Sequence, residues 1–197
     1  MARTRDDASF EAQRVTILRA AAGCFARQGF HAASIADICL AAGGLSPGRL
    51  YHYFSSKQAM VEALATAERA ELAGVAKLAA RKQDPILGLL ALVRLSVRRS
   101  LQPDYARLAL EIVSESGRNP AIGAIVAAAD DDFRRQVIAA VARVRLAGGK
   151  WHAREDASLA RSITAIIDGC TVRALLEPRA RGTLVREAER MTARLLG

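Results

Sequence analysis

The sequence predicts an all-α protein in which a short N-terminal domain precedes a longer C-terminal helical domain. Three observations indicate this fold class. Alanine and leucine recur every three to four residues along most of the chain, the alternation typical of β-strands is absent, and glycine or proline separates the periodic segments. With 197 residues, of which 51% are hydrophobic, the chain is long enough to bury a sizeable core. About nine helices are expected.

The first helices are predicted from their start signals. A periodic segment over residues 11–28 stops at Gly29, and residues 1–9 before it are interpreted as a loose tail. Ser34 is followed three residues later by Asp37, which is typical of a capping box. Ser46-Pro47 is a further start, and so is Ser55 with Gln58 three residues later, so two very short helices precede a longer one. Short helices joined by a glycine turn predict a helix-turn-helix arrangement.

The remaining helices are bounded by prolines and glycines. Their predicted positions are 56–81, 85–101, 103–117, 120–147, 154–176 and 181–196.

Net charge and the cysteines limit the class of protein. The formal net charge is +9, which favours a polyanionic partner, but the excess is spread along the chain and supports nucleic acid only weakly. Cys24, Cys39 and Cys170 form no C-x-x-C pair, so reduced core thiols in a cytosolic protein are expected.

Targeting and metal signals are missing from the sequence. The N-terminus has no apolar signal region, and the longest apolar run, 121–129, is too short to span a bilayer. A cytoplasmic protein with no membrane partner is therefore expected. The three histidines lack metal-ligand spacing, so neither a metal site nor a cofactor is predicted.

The second short helix carries side chains suited to DNA. Leu50 and Phe54 are expected to face a small core with Phe25, Ile35 and Ile38, which leaves Arg49, Tyr51, His52 and Tyr53 for other faces. An arginine can donate two hydrogen bonds to guanine in the major groove, and free N–H groups at a helix start favour a phosphate oxygen. Each residue alone has an ordinary structural explanation: a surface aromatic, a solvated charge or a cap.

As a set, these residues resemble a known family. Residues 17–64, ILRAAAGCFARQGFHAASIADICLAAGGLSPGRLYHYFSSKQAMVEAL, are similar to the N-terminal domain of the TetR/AcrR family of bacterial transcriptional regulators. The resemblance implies a homodimer that binds a palindromic double-stranded operator and releases it when a small-molecule effector binds. It implies a DNA-binding domain over 1–57, with 1–9 as a flexible arm, and an effector-binding and dimerisation domain over 58–197. By matching position, the DNA-binding residues would be Ser34, Ser46, Pro47, Gly48, Arg49, Tyr51, His52, Tyr53 and Lys57.

Two details of this resemblance stay open. Gly44-Leu45 supplies one residue more than the family usually has before the capping serine, so the recognition helix is expected to be rotated or shifted. Arg3 and Arg5 would either reach the minor groove or belong to an uninvolved tail.

The C-terminal half predicts an interface and a pocket. Apolar stripes on the last two helices are assigned to the dimer interface, with burial inside one subunit as the alternative: Leu159, Ile163, Ile166, Cys170, Leu184, Ala188, Met191 and Leu195. An effector pocket is expected among the helices from 56 to 176, for an aliphatic more than a planar ligand. Its candidate residues are Leu64, Leu92, Ser96, Leu108, Glu111, Ile112, Ile125, Phe133, Val137, Ile163, Ile167, Asp168 and Thr171.

The alternative to a regulator is a protein that acts through its C-terminal domain alone. An enzyme or a helical small-molecule-binding protein would use the C-terminal cavity without specific DNA binding. The sequence offers no catalytic constellation for the enzyme, because Asp168 and Cys170, two residues apart on a helix, face different ways. No catalytic residue is predicted.

Overall fold

The computed structural model describes residues 2–197, with side chains described from residue 7 onward. Regular structure in this range is entirely helical, which confirms the predicted fold class. The helices are α1 Ala2–Gln28, α2 Ile35–Ala41, α3 Pro47–Tyr53, α4 Lys57–Ala80, α5 Pro85–Ser100, α6 Pro103–Ser116, α7 Pro120–Leu146, α8 Asp156–Leu176 and α9 Arg181–Leu195. Short 3-10 turns, Ala153–Glu155 and Pro178–Ala180, precede the last two helices.

Local chemistry explains where most helices begin. A proline occupies the first position of four of them, where its missing N–H has no intrahelical partner to lose: Pro47, Pro85, Pro103 and Pro120. Ahead of α5, the Asp84 carboxylate accepts hydrogen bonds from two amides of the first turn, 2.8 and 3.3 Å away. The helix starts are therefore encoded within a few residues of sequence, and their predicted positions agree closely with the structure.

Two local predictions were wrong. Residues 2–9, expected to be a loose arm, form the first turns of α1, and neither glycine nor proline interrupts the helix before Gly23. Met1 and the side chains of Arg3 and Arg5 lie outside the described residues. In addition, the cap of α4 is Ser56, not Ser55: its hydroxyl accepts a hydrogen bond from the Ala59 amide at 3.0 Å.

The chain divides into two compact units. The first contains the N-terminal stretch up to Thr66 together with Arg107–Val126, and the second contains Ala67–Ala106 and Ala127–Gly197. This division differs from the boundary expected between residues 57 and 58, which stays a proposal about function. α4, α6 and α7 each contribute residues to both units.

Each unit has its own hydrophobic core. In the first, helices α1, α2 and α3 share one core. Its members Ile17, Phe25, Ile38 and Leu50 are at most 1% exposed. Burying a side chain such as Leu50 contributes about 1.5–3 kcal/mol, which a seven-residue helix needs because it is marginal alone. In the second unit, α5, α7, α8 and α9 surround the core. All three cysteines are free and buried, as predicted.

Candidate nucleic-acid interface and ligand pocket

The recognition helix α3 presents one polar face to solvent. The Ser46 hydroxyl accepts a hydrogen bond from the Arg49 amide at 3.3 Å and so fixes the start of the helix. Leu50, which is fully buried, and Phe54 just after the helix turn inward as predicted. The residues left exposed are Ser46, Pro47, Gly48, Arg49, Tyr51 and His52. Six of the nine predicted DNA-binding residues are therefore exposed in α3 or at its cap.

The turn before α3 accommodates its extra residue with two glycines. Gly43 and Gly44 have φ of 96° and 79°, a left-handed conformation that costs other residues about 1–2 kcal/mol each. In this conformation the amides of Gly44 and Leu45 both donate to the Cys39 carbonyl, each at 3.0 Å. The longer turn is therefore compact and hydrogen-bonded.

Tyr53 is held by an aromatic contact from α1. Its ring stacks on Phe10, with centroids 4.6 Å apart, and Phe10 also meets the edge of the His52 ring at 5.7 Å. Tyr53 is accordingly half-buried, which gives its ring a structural role beside the predicted phosphate contact. Sequence reasoning missed Phe10 because it belongs to the part of α1 adjoining the supposed arm.

Ser34 is engaged in a reciprocal cap at the start of α2. Its hydroxyl accepts from the Asp37 amide at 3.1 Å and donates to Asp37 Oδ2 at 2.6 Å, while its own amide donates to the same carboxylate oxygen at 3.0 Å. These bonds, with the hydroxyl first, lower the pKa of Asp37 below its usual value. Because the Ser34 proton is already used, a phosphate oxygen would have to compete for it.

Lys57 has a structural role that the sequence did not indicate. Its ammonium donates to the carbonyl oxygens of Phe30, Ala33 and His31 at 2.7, 3.0 and 3.3 Å. It also lies 4.8 Å from the centroid of the Phe30 ring. A lysine has three N–H donors, so all of them are occupied by the loop between α1 and α2. The predicted phosphate contact would require these bonds to be exchanged.

The same loop is held from α6, where sequence analysis had placed part of the effector pocket. Glu111 accepts from the Phe30 amide at 2.7 Å, and Glu115, only 2% exposed, lies 2.8 Å from His31 Nε2. A Cβ added at Gly29, whose φ is 84°, would lie 3.1 Å from the Glu111 carboxylate. Glu111 thus braces the loop between α1 and α2, and its place in the effector pocket stays a prediction.

Four further pocket candidates also belong to the first unit. Leu64, Leu108 and Ile112 pack against its core, and Ile125 lies in the same unit. Their place in an effector pocket stays a prediction, because helical periodicity identifies a buried face without identifying which core buries it.

The second unit contains a pocket of about 340 Å³ between α4, α5 and α7. Its walls are mainly small or aliphatic and include Ala76, Ala79, Gly88, Leu89, Leu92 and Ala140. Three polar side chains also line it: Lys77, Gln136 and Arg143. Of the predicted pocket residues, only Leu92 is among those lining it.

The other candidates in the second unit fill the core or lie on the surface. Val137, Ile163 and Ile167 are buried in the core, and Phe133 packs against it. Thr171 is buried and donates to the Ile167 carbonyl at 3.3 Å, and Ser96 is buried without a partner for its hydroxyl. Asp168 is exposed, although partial desolvation, followed by repulsion from Asp130, raises its pKa.

The predicted dimer stripe separates into buried and accessible parts. Four members are buried within their own subunit and have little surface left for a partner: Ile163, Cys170, Leu184 and Ala188. Their assignment to the interface stays a prediction, beside the alternative of burial inside one subunit. Leu159 and Ile166 are half-buried, whereas Met191 and Leu195 are 50% and 37% exposed. Val172 and Leu176 on α8 add exposed apolar surface that the prediction had not included.

The described residues contain neither a candidate metal site nor a candidate membrane-spanning helix. No group of three or more histidine, cysteine or acidic residues could hold a metal ion. Nor is any described helix both long enough and apolar enough to cross a membrane.

Comparison with protein families gave matches over most of the chain. Residues 17–64 match the model of bacterial regulatory proteins of the tetR family. Residues 87–197, more than half of the chain, match the model of the C-terminal domain of BetI-type transcriptional repressors. The first match coincides with the segment on which the sequence resemblance was based.

Individual relatives agree with these models. The chain is 34% identical over 127 residues to the HTH-type transcriptional regulator UidR of Escherichia coli strain K12, an alignment that spans 61% of each protein. The structure of Salmonella enterica GusR superposes with a TM-score of 0.78 at 26% identity, covering 94% of this chain and 95% of that one. A putative transcriptional regulator from Pseudomonas aeruginosa PAO1 shares the fold, with a TM-score of 0.80 at 23% identity over 94% and 90% of the two chains.

Proposed function

The chain belongs to the TetR family of bacterial regulatory proteins, and from that premise we propose that it is a transcriptional repressor whose operator is released by a small molecule. The observation that carries the proposal is the exposed polar face of α3, presented by a capped helix on a packed three-helix core. Both matched families and the curated relative are regulators, which removes the support for an enzyme. A regulator of this family that binds operator DNA would act in the cytoplasm, and that is the location we propose.

Arg49 is the residue proposed to read bases. It is exposed, it forms no ion pair within the described residues, and it lies in the first turn of the helix after the cap. A bidentate contact from arginine to guanine discriminates against a wrong base by about 1–3 kcal/mol. Tyr51 and His52 flank it on the exposed surface and would contact phosphates or neighbouring bases, and the Ser46 hydroxyl keeps its proton free for a phosphate oxygen.

A homodimer is proposed on the exposed apolar surface of the last two helices. Val172 and Leu176 on α8 are 39% and 65% exposed, and Met191 and Leu195 on α9 are comparably accessible. Apolar side chains grouped on consecutive helices favour cover by a second copy. Two copies would place two recognition helices on a palindrome, one in each of two successive major grooves about 34 Å apart.

Effector binding is proposed to occur in the pocket of the second unit. α4 lines that pocket with Ala76 and Lys77, and its first residues belong to the unit that carries α3. A ligand that favours one position of α4 would change the operator affinity by a coupling free energy, typically 1–3 kcal/mol.

Fluorescence anisotropy on the DNA upstream of the protein's own gene tests the proposal. Specific binding predicts a preference of roughly 10³-fold or more over a scrambled fragment. Arg49→Ala should weaken binding to the specific fragment about 10- to 100-fold while leaving scrambled DNA nearly unaffected. Arg98→Ala, which removes an exposed arginine of α5, is the matched control. Equal, steeply salt-dependent binding of both fragments by the unmodified protein would reject specific recognition.

A further inference from the structure

The charges around the pocket of the second unit are strongly one-sided. Lys77 and Arg143 line it, and no carboxylate is among the described residues that do so. Across residues 7–197 neither cation takes part in an ion pair: Arg143 has a single hydrogen bond, to the Lys82 carbonyl at 3.4 Å. Some other cations of the second unit do have a carboxylate partner, as Arg94 has in Glu189 at 2.6 Å. Two cations are thus left beside an apolar cavity.

A wider, shallower depression continues the pocket and has the same bias. It shares Ala73, Gln136 and Ala139 with the pocket, and it adds Arg69, Asp132 and Arg135. Both of these arginines form ion pairs with the same carboxylate, that of Asp132. The two connected cavities therefore contain four cations and one carboxylate, an excess of positive charge that attracts an anion.

The walls and the volume of the pocket constrain the uncharged part of the ligand. Its walls are alanine, leucine, glycine and proline, and no aromatic ring lines it for a planar ligand to stack on. Gln136, at the junction of the two cavities, has a buried Oε1 without a hydrogen-bond partner and offers one uncharged polar contact. At roughly 30 Å³ per non-hydrogen atom of liquid, a volume near 340 Å³ holds about eleven such atoms.

We propose that the effector is an aliphatic anion of about this size, with its chain against Leu89 and Leu92 and its acidic group between Lys77 and Arg143. The inference rests on the proposed function, because it names the ligand class of the proposed effector site. Transfer of the chain from water supplies affinity and the cations supply selectivity. A ligand that is uncharged or positively charged leaves the two cations unpaired, so it should bind with lower affinity.

Isothermal titration calorimetry of the full-length protein with decanoate, decan-1-ol and decylammonium tests the proposal, because the three probes differ in the charge of their head group. Decanoate should bind at least about tenfold more tightly than decylammonium, the equivalent of 1.4 kcal/mol, with decan-1-ol between them. Lys77→Gln/Arg143→Gln should lower decanoate affinity about tenfold or more. Lys150→Gln/Arg154→Gln removes two exposed cations away from the pocket and should leave it unchanged.

A second variant keeps the site assignment falsifiable. Ala76→Leu places three extra carbon atoms in the cavity and should abolish binding of all three probes, with circular dichroism verifying that every variant is folded. Equal or tighter binding of decylammonium, no detectable decanoate binding, equal losses in both double variants, or unchanged binding in Ala76→Leu would each overturn the inference.

Operator binding is measured separately, so the two proposals fail independently. Specific DNA binding without decanoate binding would reject only the ligand class. Decanoate binding as described, in a protein without operator preference, would reject the repressor and keep the anion site.

Discussion

Replacing Lys57 by methionine separates its structural role from the phosphate contact that the sequence predicts. Methionine keeps the unbranched apolar stem but removes the ammonium that three loop carbonyls share. A hydrogen bond to a charged group is worth about 1.5–3 kcal/mol, and the cation–π contact with Phe30 adds about 0.5–1 kcal/mol. Because the three bonds share one ammonium, we count a single charged bond and the ring contact, about 2–4 kcal/mol in total.

Two measurements on the Lys57→Met variant distinguish the roles. Thermal unfolding followed by circular dichroism should show a midpoint lowered by roughly 4–16 °C, since 1 kcal/mol corresponds to about 2–4 °C in a chain of this size. The slope of log affinity for DNA against log salt should stay unchanged, because no phosphate contact is lost. Lys150→Met, at an exposed lysine, is the control for removal of one positive charge.

The opposite pair of results would refute the reasoning. An unchanged unfolding midpoint, together with a salt slope smaller by about one, would mean that the ammonium contacts a phosphate in the complex. The carbonyl contacts would then contribute nothing measurable to the folded state.

Glu111→Ala leaves the Phe30 amide without its acceptor and should cost about 1–3 kcal/mol in urea unfolding, with the conservative Glu111→Gln largely restoring it. Gly44→Ala should cost about 1–2 kcal/mol through backbone strain alone, since a Cβ there meets no atom within 4 Å; a neutral result would contradict the left-handed turn. The pKa of Asp37 is lowered in the folded state, so its carboxylate stabilises the fold at pH values above the ordinary pKa of 3.8. This contribution is lost as the pH falls through the lowered pKa of the folded state. The difference in unfolding midpoint between the protein and Asp37→Asn should therefore be constant near neutral pH and shrink in acid; a difference independent of pH would exclude the cap as its source. Burial raises the pKa of the Cys39 and Cys170 thiols, so both should react with a disulfide reagent far more slowly in the folded protein than in denaturant, and rapid reaction of the folded protein would show that they are accessible.

What the sequence predicted correctly is what neighbouring residues determine. The Ser34–Asp37 cap and the Ser46-Pro47 start act within one turn of helix, so a short window contains all the chemistry they need. The exposed positions of Arg49 and Tyr51 followed for the same reason, because the spacing of Leu50 and Phe54 fixes which face of α3 is buried.

What the sequence did not predict depends on distant partners. Glu111 and Phe30 are 81 residues apart, so no local pattern indicates their hydrogen bond. Ile163 and Cys170 form an apolar stripe that has the same period whether a subunit buries it or a partner does. The alanines that line the pocket of the second unit were not predicted, because an alanine on a helix is typical of an ordinary packed core. Only the arrangement of three helices shows that Ala76 and Ala140 leave space between them.

The brace from α6 has a consequence for how such regulators are recombined. Residues 1–57 look like an exchangeable cassette, but the loop that positions α2 depends on carboxylates encoded some 80 residues later. A chimaera that joins this N-terminal segment to another sensor domain would inherit an unpaired Phe30 amide unless Arg107–Val126 is transferred with it. On the ribosome, likewise, the unit cannot be completed until residue 126 has been made, so nascent α1–α3, which end at residue 53, wait for their support while more than a third of the chain is synthesised.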